Sequence, residues 1–348
     1  NRVSSFLNSN RIPETCAKPF CVFHVKFAAA RWQDTLAGRR WDGGPFHFCA
    51  SIGWRSDGAH QKARDRLLEM ADRYHGTLLN EVMSNVDNGS LLNHFAREIN
   101  CDDMEQLWLA AGSNDGASMG ADGRTRIWRK FQFEAAHRLP HVAPAHPCGR
   151  MHGHSFTPVL SVDAGTAAQL DIAESVLLEW LDGRCLNAID GLHNPTSENL
   201  ARWIWRRWQP TWGCLRRVDV AETLNSRCQY DGQTYMIRYR KNWDAALGGY
   251  GTIPLHGHGY LCDVFLRPAY DEAIGWTMDY GEVRRAMEPW IKRIDHHRIE
   301  EVIRHEQTDD LHIADWMIKA LLPELPDLCQ LVVRRQDGDG AGIQLVTE

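Results

Sequence analysis

Apolar and polar positions follow the same order three times along the chain. The clearest run opens with Phe131, Phe133, Ala135 and His137 alternating on one face, the period of a half-buried strand, and "GHSFTPVLSV" predicts a second strand. The spacing then becomes helical in "DIAESVLLEWL" and "TSENLARWIWRRW". In the latter, Leu200, Trp203, Ile204 and Trp208 share one side and Thr196 or Ser197 supplies the N-cap. "LRRVDVAETL" and "RCQYDG" close the run as strands. The third run repeats this with "TYMIRYRKNWDAAL", "HGYLCDVFLRP", a helix in "DYGEVRRAMEPWIKRI", a helix in "LHIADWMIKALL", then "CQLVVRR" and "GIQLVTE". Its first helix carries Val283, Met287, Trp290, Ile291 and Ile294 as one stripe, with Asp279 as cap and Pro289 as a kink. The first run is the faintest: "CVFHVKFAAARW", "GGPFHFCASIGW", two helical patterns, and "QLWLAA" as its third strand. Linkers fall at residues 112–125 and 230–234, rich in Gly, Ser and Asp.

The predicted organisation is an N-terminal tail (1–15) and three strand-strand-helix-helix-strand-strand units at 16–120, 121–232 and 233–348. A formal charge of −6 offers no general basic field, so neither nucleic acid nor an anionic membrane is expected as partner. No apolar run approaches the roughly 18 residues of a membrane helix, and the opening residues do not read as a signal peptide. The expectation is a cytoplasmic protein. Ten cysteines without a C-x-x-C pair predict reduced thiols rather than a disulfide framework.

The chemistry concentrates in "HPCGRMHGHSF". On a strand, His152 and His154 point to one face, roughly 6.6 Å apart by strand rise, and an antiparallel neighbour brings His137 beside them. Three imidazoles with a fourth position open form the pattern of a catalytic zinc site. Cys148, between His146 and Arg150, sits in a cationic setting that favours thiolate; it is a fourth ligand, a nucleophile or a proton acceptor. His-Gly-His recurs at His256 and His258, without the cysteine.

"FEAAHRLP", "CGRMHGHSF", "NPTSENLA" and "VAETLNSRCQY", with "MDYGEV" and "IDHHRI" further on, resemble the 6-pyruvoyl-tetrahydropterin and 6-carboxy-tetrahydropterin synthase family. The resemblance is specific over about 127–231, partial over about 235–348 and thin before 120; the short Cys148 to His152 gap is closer to the carboxy branch, that of queuosine biosynthesis. It implies an α+β tunnelling fold: three four-stranded antiparallel units closed into a pseudo-trimeric barrel, with two such barrels stacked as a homodimer. It further implies Zn2+ on His137, His152 and His154, Cys148 as proton-transferring thiol, and Glu222 as the carboxylate that grips a pterin ring through paired hydrogen bonds.

The family's Asp-His pair departs from this pattern. In the middle unit Asp182 is followed by Gly183, whereas the third unit keeps Asp295 and His296. The third unit in turn has Leu247, Thr252 and Arg335 where the first zinc histidine, the cysteine and the glutamate belong. The first unit has Arg31, His75-Gly76 and Ala111 at the matching positions and no His-x-His. These complementary losses predict one composite site per chain, with Asp295 and His296 completing the middle unit's set. The implied reaction converts 7,8-dihydroneopterin triphosphate to 6-carboxy-5,6,7,8-tetrahydropterin with release of acetaldehyde. Arg138, Arg150, Arg31 or Arg335 would meet the triphosphate. The alternatives are a 6-pyruvoyl-tetrahydropterin synthase or related pterin lyase, and a pterin-binding protein without turnover.

Overall fold

The computed structural model describes residues 17–35, 38–249, 253–305, 308–336 and 338–346. The expected N-terminal tail and Thr252 lie outside them. Three successive stretches build the molecule. The first runs β1 (Ala17–Thr35), β2 (Gly38–Gly53), α1 (Ala59–Tyr74), α2 (Asn88–Ile99), β3 (Met104–Ala111) and β4 (Asp115–Gly120). The middle runs β5 (Thr125–Lys130), β6 (Phe133–His137), β7 (His152–Asp163), α3 (Ala168–Leu181), the two-residue β8 (Arg184–Cys185), α4 (Ser197–Trp212), β9 (Leu215–Ala221) and β10 (Ser226–Tyr230). The third runs β11 (Tyr235–Leu247), β12 (His256–Leu266), α5 (Tyr280–Ile294), α6 (Asp310–Leu321), β13 (Leu328–Arg335) and β14 (Gly340–Leu345).

The strands join edge to edge in the order β5-β4-β3-β2-β1-β14-β13-β12-β11-β10-β9-β7, and β5 also pairs with β7, so the sheet returns on itself. Every pairing in that circuit is antiparallel, which leaves no free edge in it. Alternating directions put the ends of β6, β9 and β11 and the starts of β7, β10 and β12 at one rim.

One face of the sheet packs against the helices, and the main core lies between them. Its register is marked by a stacked aromatic pair in each stretch: Phe27 on Phe46 at 5.3 Å, Phe133 on Phe156 at 5.1 Å, and Trp243 on Tyr260 at 5.3 Å. Each pair is directly opposed across its hairpin. The second helix of each stretch starts on a side-chain cap, Asp87, Thr196 or Asp309, which accepts a backbone N–H three residues on.

One expectation changes. The segment read as a linker at 112–125 contains β4. Its small residues are what close packing demands: a Cβ on Gly116 would stand 1.9 Å from the Leu109 carbonyl oxygen and 2.5 Å from the Trp128 ring. Pro289 sits inside α5, which continues past it to Ile294, with Val283, Met287, Ile291 and Ile294 buried as expected and Trp290 packed edge-on to Trp316. Among the described residues the cysteines are free thiols, and no helix is long and apolar enough to cross a membrane.

Candidate metal centre and cleft

The β6–β7 hairpin pairs His137 with His152 and Ala135 with His154, which gathers three imidazoles at the rim. Their ring centroids lie 4.5, 5.2 and 4.9 Å apart, and one nitrogen from each falls within 4.8 Å of the others. His137 Nδ1 faces the Pro195 carbonyl at 2.9 Å, and His152 Nδ1 faces the Arg150 carbonyl at 2.7 Å. A carbonyl only accepts, so both rings carry their proton on Nδ1 and direct the Nε2 lone pair elsewhere. His137 is buried and its Nε2 has no hydrogen-bond partner, an arrangement that costs free energy unless something electrophilic is bound there. Burial, then repulsion from the neighbouring imidazoles, pushes His137 down to about 4, and burial holds His154 below its ordinary value as well. Neutral imidazoles are the form that ligates metal, so the group can hold an ion with a coordination position to spare.

Cys148 lies in a short turn, Pro147–Gly149, and its carbonyl accepts from Leu139 N–H at 2.8 Å, two residues past His137. The expected cationic setting does not materialise. His146 Nε2 is turned to Asp279 Oδ2 at 3.5 Å and its ring lies 5.9 Å from Trp276. Burial first, then the Glu222 and Asp279 carboxylates, push the thiol up.

Glu222 follows the end of β9, half-buried. Burial and then Glu198 push it up to about 8, opposed by the Ser197 backbone N–H. Glu198, in the first turn of α4, is buried; its carboxyl is also raised by burial, while Thr277 donates to it from N–H (2.9 Å) and hydroxyl (2.8 Å) and Ser197 Oγ donates at 3.0 Å. Thr277, Asp279 and the half-buried Tyr280, which interacts electrostatically with both glutamates, come from the third stretch, so this cleft is built between middle and third. In the sequence Asp279 reads as a helix cap, and Glu198, Thr277 and Tyr280 are given no role; Glu198 stands out only as an acidic residue in a first turn, which a helix N-terminus favours in any case.

The aromatic pairs fix which residues correspond between stretches. Four positions beyond Phe27, Phe133 and Trp243 stand Arg31, His137 and Leu247; four before Phe46, Phe156 and Tyr260 stand Asp42, His152 and His256. In the third stretch His256 Nδ1 faces the Pro254 carbonyl at 2.8 Å and the two rings are 4.9 Å apart, as in the middle, but buried Leu247 removes the third ligand. In the first, fully buried Arg31 donates to the Val86 carbonyl at 2.6 Å, as His137 does to Pro195, and lies 3.5 Å from Asp42. An ion pair stands where the middle stretch has its imidazoles. Arg31 is thereby committed and is not a triphosphate ligand of the middle cleft; Arg335 stands 3.6 Å from Asp310 in the third stretch.

Asp295 and His296 are not joined to the middle cleft within the chain. Asp295 accepts from Asp244 N–H at 3.0 Å, which with the His296 contact at 3.0 Å holds its carboxyl low. Both follow α5, and exposed His296 lines a separate cavity of about 530 Å3 with Asp244, His258 and His297. Among the described residues, neither is hydrogen-bonded or ion-paired to Cys148, Glu198, Glu222, Thr277 or Asp279. The corresponding turns end in Gly76 and Gly183 at φ 73 and 65, and all three residues donate N–H to the strand carbonyl opposite at 2.7 Å. His296 holds the same left-handed conformation, φ 57, with a side chain. Such a conformation is strained for a non-glycine residue.

An antiparallel α+β ring with a three-imidazole group able to hold an ion, a thiol and paired carboxyls belongs to the class of T-fold proteins. The chain is a member of the 6-pyruvoyl tetrahydropterin synthase family, whose sequence profile matches residues 126–233 and again 243–344. The 6-carboxy-5,6,7,8-tetrahydropterin synthase of Synechocystis sp. is 36% identical over 120 residues, which span 30% of this chain and 91% of that protein. Among solved structures, 6-pyruvoyl tetrahydropterin synthase from Caenorhabditis elegans aligns at 23% identity and TM-score 0.28 over 31% of this chain and 95% of its own. Arthrobacter globiformis uricase aligns at 11% identity and TM-score 0.34 over 58% and 80%.

Proposed function

We propose that this chain is a zinc-dependent lyase that converts 7,8-dihydroneopterin triphosphate to 6-carboxy-5,6,7,8-tetrahydropterin. The observation that supports the reading is a three-imidazole group able to hold an ion, His137, His152 and His154, in the same stretch as Cys148 and Glu222, whose carboxylate acts on the Cys148 thiol. Glu222 as carboxylate accepts from the ring N–H and amino group of the pterin. His137, His152 and His154 hold the zinc ion, which when bound supplies Lewis acidity toward the side-chain hydroxyls and the positive charge that Cys148 needs to ionise. Cys148 removes a side-chain proton, and triphosphate leaves by elimination. The carboxy product is favoured by the Synechocystis relative's name and by the short Cys148 to His152 gap. Purified protein is incubated with 7,8-dihydroneopterin triphosphate and products are followed by mass. The 6-carboxy product with acetaldehyde supports the reading, a retained diketone side chain assigns the pyruvoyl reaction instead, and no turnover with zinc bound leaves a pterin-binding protein.

In this reading the three stretches are tunnelling-fold units fused into a covalent pseudo-trimer, and two rings stack into a homodimer. The His296 backbone strain supports a working role for Asp295 and His296. Both cleft and pair stand at the same rim, so the pair relays protons at the Cys148 of a second ring. Mixing Cys148→Ala and His296→Ala chains, each inactive alone, then restores turnover, because one cleft of the mixed dimer is complete. A pair acting within its own chain gives no recovery.

A further inference from the structure

The seam between the first and middle stretches encloses a cleft of about 980 Å3 lined by Trp32, Arg40, Asn88, Asp115, Arg129 and Asp171. It is built as the metal-side cleft is built. Asn88 corresponds to Ser197 as the residue after the second helix cap, and the start of α3 takes the place of the start of α5. Its carboxylate has moved by one strand. Ala111 occupies the Glu222 position, and directly across from it on β4 stands Asp115, where continuation of the β9–β10 register puts Ser226. Asp115 Oδ1 accepts from Asn88 Nδ2 at 2.9 Å, which fixes the amide orientation. Asn88 is over nine-tenths buried, and its Oδ1 has no partner. A buried carbonyl acceptor without a donor costs free energy that a bound N–H group relieves.

We propose that this cleft is a second, non-catalytic site for a ligand carrying a 2-amino-4-oxopyrimidine ring, the ring common to pterins and guanine. Asp115 and Asn88 Oδ1 accept from the ring's amino and N–H edge. The Arg31–Asp42 pair stands where the other cleft has its metal ligands, so this site has no metal-ligand set and does not support the same chemistry. The choice of ring rests on the reading of Glu222 given above.

The test is calorimetric titration of the zinc-loaded full chain with 7,8-dihydroneopterin and, separately, with guanosine, neither of which carries a triphosphate. We expect two dihydroneopterin equivalents per chain, one lost in Glu222→Gln and the other weakened at least tenfold in Asp115→Asn with turnover unchanged. Asn88→Leu, which removes the free acceptor and the donor to Asp115, gives the same loss, and unchanged melting curves separate it from misfolding. Binding of guanosine alone at the Asp115-dependent site also supports the proposal and makes the ligand a purine. If wild type binds one equivalent of either probe and Glu222→Gln removes it, the second site is refuted while the function stands. A single equivalent that survives Glu222→Gln and disappears in Asp115→Asn retains this site and refutes the reading of Glu222. A second equivalent that survives Glu222→Gln and is indifferent to both Asp115→Asn and Asn88→Leu overturns the proposal, as does the absence of binding.

Discussion

Glu222 makes the proposed ring anchor a titrating group in the working range. Its carboxyl is pushed up to about 8 in the metal-free chain, by burial and by Glu198. If the pterin edge is held by the carboxylate form, affinity follows the ionised fraction, about 1% at pH 6, about 50% at pH 8 and about 90% at pH 9. Binding of 7,8-dihydroneopterin to metal-free protein should therefore strengthen about 50-fold from pH 6 to 8, about 2 kcal/mol, and less than about twofold beyond. The sign for folding is opposite. A raised carboxyl contributes stability that is full below its ordinary value and is lost as pH rises through about 8, so ligand-free Glu222→Gln should be the more stable chain at pH 9 and not at pH 4. Ring fluorescence gives the dissociation constant at each pH, and carboxyl carbon NMR gives the titration itself. Glu198→Gln removes the second cause of the shift and should move the midpoint down. An affinity that is flat from pH 6 to 8, or a slope that persists in Glu222→Gln, refutes the assignment.

Three further outcomes follow from the correspondence between stretches. Leu247→His restores the missing ligand beside His256 and His258, so zinc measured by mass spectrometry should rise from one to two per chain; a value unchanged at one would falsify the equivalence drawn from the aromatic pairs. His296→Gly relieves a left-handed backbone and should raise stability to urea by about 1 kcal/mol while abolishing turnover. Arg31→Met takes one of two donors from the Val86 carbonyl, leaving Gln33 Nε2 at 3.2 Å, and leaves Asp42 paired with Arg40 alone; it should cost about 1 to 3 kcal/mol in the same assay, with zinc content unchanged.

Much of the fold was legible because the strand and helix periods survive in all three stretches, even where their chemistry is gone. Phe133, His137 and Phe156 alternate as a half-buried hairpin must, and the histidine set followed from that alternation. β4 was hidden because Gly116, Ala117 and Ser118 satisfy a packing constraint that resembles linker composition. The surroundings of Cys148 were misread because charge near in sequence, His146 and Arg150, says little about charge near in space, where Glu222 and Asp279 dominate. Asp295 and His296 were found as a pair, but their location depended on how stretches sit around the ring, which local pattern does not encode. The contribution of Glu198 and Thr277 is likewise a seam property, formed by residues 79 positions apart.

The β5–β7 pairing closes the ring within a single polypeptide. A ring assembled from three identical chains has to express every substitution at all three seams at once, so no seam can change its chemistry without changing the others. Here each seam has its own codons. A cation site can be imidazole in one, guanidinium in another and aliphatic in the third, and selection can test each arrangement while the neighbouring cleft continues to work.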